Sequence, residues 1–79
     1  MALEELPERL YEQFAQIGKA LSSPARLQIL NLLCQGEHSV DELAEKTDQS
    51  AANTSAHLKK LKQGRLVEKR KEGRRVHYR

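Results

Sequence analysis

Seventy-nine residues hold one domain at most, because a stretch this short buries a modest share of its surface around one thin core. Charged residues make up 32% and aromatics 4%, with no Trp, which fits a helical domain cored by Leu, Ile, Val and Ala, and no stretch is apolar enough to span a bilayer. The formal charge of +3 is segregated: Met1 to Leu58 holds four Lys/Arg against nine Asp/Glu, and Lys59 to Arg79 holds ten against two, a balance of +8.

Leu6, Leu10, Phe14, Ile17 and Leu21 recur every three or four residues and predict a helix from about Pro7 to Leu21, its stripe facing a core or a second subunit. Ser23-Pro24 then reads as a cap followed by the first residue of a second helix running to about Gln35. Leu27, Ile29, Leu30, Leu32 and Leu33 make that helix apolar nearly all round, so it is expected to be the most buried, ending at Gly36 in a left-handed conformation. Ser39-Val40-Asp41-Glu42 has the form of a capping box opening a short third helix. After the polar Asp48-Gln49-Ser50, Ser50 caps a fourth helix with Thr54, Leu58 and Leu61 on its inner stripe. Two short helices across a tight turn form a helix-turn-helix, whose second helix enters the major groove of DNA. Past Gly64 the period changes, and two extended runs flank the Gly73-containing turn, predicting a two-stranded basic wing. The fold class is therefore mainly α with a small β-hairpin: a winged helix-turn-helix of about four helices spanning 1–79.

Those residues resemble the ArsR/SmtB winged helix-turn-helix repressors over roughly positions 13 to 79. The resemblance rests on Ala20-Leu21-Ser22-Ser23-Pro24-Ala25-Arg26-Leu27 with Ile29-Leu30, and on Val40-Asp41-Glu42-Leu43-Ala44. It continues through Ser55-Ala56-His57-Leu58-Lys59-Lys60-Leu61, Gly64-Arg65-Leu66-Val67 and Glu72-Gly73-Arg74-Arg75-Val76-His77-Tyr78. It implies a homodimer on a palindromic double-stranded DNA operator, with the fourth helix in the major groove and the wing over the backbone. Metal-sensing members carry Cys-Val-Cys at the start of the third helix, whereas here the residues are Ser39-Val40-Asp41, so no metal or cofactor is expected and the inducer stays open. A chain that stops within a wing strand is expected to continue into a helix or second domain.

Ala52, Asn53, Ala56 and Lys59 fall away from the inner stripe and are expected to face the groove. The Asn53 amide suits both edge groups of adenine, and Ala52 and Ala56 suit a thymine methyl; the plainer alternative is an exposed polar surface. Ser50, Ser55 and Gln49 are candidate phosphate contacts, with capping sufficient to explain Ser50. His57 either touches the DNA backbone or packs at the edge of the core, and Lys59, Lys60 and Lys62 divide between phosphate and solvent. Arg74, Arg75 and Lys71 are the candidate wing contacts, against the alternative of charge that keeps a hairpin edge from aggregating. Val76 and Tyr78 share a strand face and read as structural.

Cys34 ends an apolar helix and is expected to be a small buried hydrophobe, and His38 and His77 stand too far apart for a metal site. A lone cysteine fits a reducing compartment, and MALEELPERL lacks the basic flank and apolar run of a secretory signal, so a cytoplasmic, membrane-free location is expected. No phosphate-cradling Gly loop, nucleophile elbow or metal-ligand spacing supports an enzyme. The competing class is a winged-helix module that docks proteins, which would more naturally expose apolar residues on the fourth helix than small and basic ones.

Overall fold

The computed structural model describes residues 6–79, which leaves Glu4 and Glu5 of the acidic N-terminal balance outside the described residues. Helix α1 runs over Glu8–Ala20, with Pro7 and Leu21 as its caps. Helix α2 covers Pro24–Gln35; the Ser23 hydroxyl accepts from the Arg26 backbone N–H at 3.3 Å, and Pro24 fills the first position as expected. Strand β1, His38–Ser39, leads directly into α3, Val40–Thr47. The capping box at its start is complete, because Ser39 Oγ accepts from the Glu42 N–H at 3.2 Å and Glu42 Oε1 accepts from the Ser39 N–H at 3.1 Å. The Ser39 backbone N–H, and after it the Ser39 hydroxyl, hold the Glu42 carboxyl below the usual carboxylate range.

Helix α4 spans Ala51–Gln63, capped by Ser50, which accepts from the Asn53 N–H at 3.0 Å. The joint between α3 and α4 is made by Asp48, whose φ of 54° turns the chain and lets the Gln49 N–H reach the Ala44 carbonyl at 2.9 Å. The end of α4 uses the same device on an unexpected residue. Arg65, not Gly64, takes the left-handed conformation at φ 60°, so that the Leu66 N–H reaches the Leu61 carbonyl. Gly64 is needed for space: a Cβ there would stand 3.3 Å from the Ala20 Cβ, where α1 crosses the end of α4.

Strands β2, Lys69–Glu72, and β3, Arg75–Tyr78, form the wing, joined by Gly73-Arg74 with Gly73 at φ 60°. The sheet has a third member that the residue pattern does not announce: β1 pairs antiparallel with β3, His38 opposite Tyr78 and Ser39 opposite His77, in the order β1-β3-β2. That pairing anchors the wing to the start of α3.

Ala20, Ile29, Leu43, Leu58, Leu61 and Val67 form the core, with Tyr78 packed against it and Thr54 buried beside it. The Thr54 and Thr47 hydroxyls are satisfied by donating to carbonyls four residues back, Ser50 and Leu43, at 2.8 and 2.7 Å. Three expectations for α2 need correction. Only Ile29 is fully buried, and Leu27 is 50% exposed, because one protomer covers a single face of this all-round apolar helix. Cys34 is exposed, since five residues after Ile29 the helix has turned it away from the core side. Gly36 ends α2 at φ 155°, ψ 174°, a positive-φ conformation that favours glycine as expected but lies outside the left-handed helical well.

Candidate nucleic-acid interface

The inner stripe of α4 is as expected: Thr54, Leu58 and Leu61 are buried. Ala52, Ala56 and Lys59 lie on the opposite line of the helix, and Asn53 and Ser55 flank it on either side; all five are exposed. Two methyl groups and a short amide leave a shallow surface on this side of the helix, with Lys59 at its C-terminal end. Ser50 is exposed at the helix N-terminus with its Oγ committed to the cap, and Gln49 is half-buried in the turn.

His57 points elsewhere. It is half-buried, and its Nδ1 lies 3.2 Å from Arg26 Nη1 on α2. Burial, then the Arg26 and Lys60 charges, push its pKa below the ordinary histidine value. Of the two roles open to His57, this geometry favours packing and positioning over a direct backbone contact.

On the wing, pairing separates two kinds of cation. Arg70 donates through Nε to Glu37 at 2.6 Å and through Nη1 to Glu72 at 2.9 Å, and Arg79 meets Glu68 at 3.3 Å. The Arg70 hydrogen bond holds the Glu37 carboxyl below its ordinary range. Lys69, Lys71, Arg74 and Arg75 are exposed and make no ion pair among the described residues. Strand alternation sorts them further. Lys71 pairs with Val76 and Lys69 with Tyr78 on one face of the ribbon, whereas Arg75 shares the other face with Arg70, Glu72 and His77. Lys71 and Arg75, one group by their charge, therefore project to opposite sides, with Arg74 at the turn between them. Arg70 looks equivalent to the others in the sequence, and its pairing with distant Glu37 and with Glu72 sets it apart.

Residues 23–69 match the family model described as bacterial regulatory protein, arsR family. The chain belongs to the arsR family. Among curated members it is 50% identical over 70 residues to the HTH-type transcriptional regulator Rv0324 of Mycobacterium tuberculosis, covering 89% of this chain and 31% of that protein. It is 40% identical over 68 residues to the arsenical resistance operon repressor of Staphylococcus xylosus, covering 86% and 65%. The chain thus spans under two thirds of the length of both. A solved arsR-type structure, the homodimeric winged helix-turn-helix DNA-binding domain Mb0332 (fragment 1–100) of Mycobacterium bovis, superposes with a TM-score of 0.86 at 45% identity, covering 98% of this chain and 74% of that one. The winged helix-turn-helix fold follows directly.

The start of α3 does not fit a thiolate metal site in this family member. Ser39 is engaged in its capping box, Asp41 is exposed, and the described residues include no cluster of three His, Cys, Asp or Glu able to hold a metal ion. His38 and His77 come onto neighbouring strands, but alternation directs them to opposite faces. His38 is instead used structurally: buried, its Nδ1 meets the Gly36 carbonyl at 2.7 Å and its Nε2 meets Lys46 Nζ at 3.2 Å.

Proposed function

We propose that this chain is the DNA-binding unit of a transcriptional repressor, reading a palindromic operator as a homodimer in the cytoplasm and performing no catalysis of its own. The observation that carries the reading is the exposed outer line of α4, Ala52, Ala56 and Lys59, flanked by exposed Asn53, together with a wing whose Lys71, Arg74 and Arg75 make no ion pair among the described residues. Ala52, Ala56 and Asn53 read base edges, Asn53 toward adenine, while Ser50, Gln49, Ser55, Lys59 and the wing cations hold the backbone.

The dimer reading rests on an apolar strip. Phe14 is 51% exposed, Leu27 50% and Leu21 38%, so one protomer leaves these large apolar side chains uncovered, as residues of an association surface are. Pairing through α1 buries it and places two recognition helices about one turn of DNA, roughly 34 Å, apart.

Fluorescence anisotropy of the purified chain on duplexes from its own promoter and on scrambled duplexes, at two salt concentrations, tests the function. Salt-sensitive binding that prefers the promoter, with Asn53→Ala losing about 1–3 kcal/mol of that preference, is the expected result. A folded, dimeric sample that binds neither duplex at low salt overturns the reading and favours a protein-docking module.

A further inference from the structure

One guanidinium joins three helices. Arg26 lies in the first turn of α2; its Nε donates to the Ala20 carbonyl at 2.7 Å and its Nη2 to the Lys19 carbonyl at 2.9 Å. Both are last-turn carbonyls of α1, where donors from within the helix run out. Its Nη1 lies 3.2 Å from Nδ1 of His57 on α4. Arginine has only donors, so His57 Nδ1 must be the acceptor and the ring proton must sit on Nε2.

That contact exists only for a neutral ring. Protonated His57 would present an N–H to an N–H, with two like charges in hydrogen-bond proximity. The charged groups lining the adjoining cleft are Glu12 and Lys19 of α1, Arg26 of α2 and Lys60 of α4, one carboxylate against three cations. The local field therefore also favours the neutral form.

We propose that Arg26 is a positioning residue for DNA binding: it ties the recognition helix to the end of α1 through neutral His57, so that protonating His57 releases the tie and weakens operator binding. The proposal rests on the DNA-binding reading above, and it reverses the sign expected from charge alone. Acidification adds positive charge to every histidine, which by itself strengthens binding to phosphates. Loss of the tie weakens binding, because α4 is no longer held at one angle to the helix that sets its distance from the second subunit.

The test combines side-chain 15N NMR of the free protein with anisotropy on the promoter duplex at pH 7.5 and pH 5.0, for wild type, His57→Asn and Arg26→Lys. His57→Asn places an amide oxygen where the ring Nδ1 stood, an acceptor that does not titrate. Wild-type His57 is expected as the Nε2–H tautomer at pH 7.5. Wild-type affinity is expected to fall with acid, by about a hundredfold per pH unit below the His57 midpoint in the limit where the bound dimer admits only the neutral ring in both subunits. His57→Asn is expected to keep a larger share of its own pH 7.5 affinity at pH 5.0. Arg26→Lys keeps the charge and loses the fork, so it is expected to bind about tenfold more weakly at pH 7.5 with His57 in mixed tautomers. A mixed tautomer in wild type, or the same acid loss in His57→Asn as in wild type, overturns the proposal. Failure of wild type to bind duplex at pH 7.5 overturns the regulator reading instead, and the tautomer, read without DNA, still reports whether the tie exists.

Discussion

Arg70 and Arg75 carry the same charge on the same face of the wing, and they differ in that Arg70 is held by Glu37 and Glu72 whereas Arg75 is unpaired among the described residues. Replacing each by Ala therefore separates charge from contact. For B-DNA each phosphate neutralised contributes about 0.9 to the slope of log K against log salt. A twofold dimer loses the contact twice, so Arg75→Ala is expected to flatten the slope by about 1.8, reducing the affinity drop between about 50 and 200 mM salt roughly tenfold. Arg70→Ala is expected to change the slope by less than half of that, because its guanidinium is already satisfied and a phosphate would have to displace two carboxylates. Anisotropy titrations over four or more salt concentrations, on specific and scrambled duplexes alike, give the slopes. An Arg70→Ala slope change equal to or larger than that of Arg75→Ala would refute the assignment of free and engaged cations.

Three further outcomes follow from the packing. Phe14→Glu puts a carboxylate where each subunit is expected to bury about 1.5–3 kcal/mol of phenyl surface, so sedimentation equilibrium should show the dimer constant weakened by at least tenfold with helicity retained. Leu58→Ala empties a fully buried position on α4 and is expected to cost about 2–5 kcal/mol, read as a lowered Tm at unchanged far-UV signal. His57 has a folded-state pKa below its ordinary value, so its contribution to stability is intact above the ordinary histidine range and is lost as pH falls through the folded value. Calorimetry at pH 7.5 and 5.0 should show a smaller acid loss for His57→Asn than for wild type.

Local chemistry was legible from the chain alone. Ser23, Ser39 with Glu42, and Ser50 each act within a few residues of their own position, so their caps need no knowledge of the rest of the fold. Periodicity alone put Thr54, Leu58 and Leu61 inside, and by subtraction left Ala52, Asn53, Ala56 and Lys59 outside. What the chain alone did not disclose depends on contacts between distant segments. Two-residue β1 has no periodicity to detect and exists because β3 offers it a partner about forty residues away. The apolar content of α2 marked it as buried, but which of its faces a protomer covers depends on how α3 and α4 pack, and that leaves Leu27 and Cys34 outside. Arg70 is withdrawn from the basic surface by Glu37, 33 positions away, and Arg26 reaches His57 across 31. Backbone propensity and side-chain pattern act over one or two turns of chain, whereas the choice of partner for a guanidinium is made only when the folded elements bring donor and acceptor within hydrogen-bond distance.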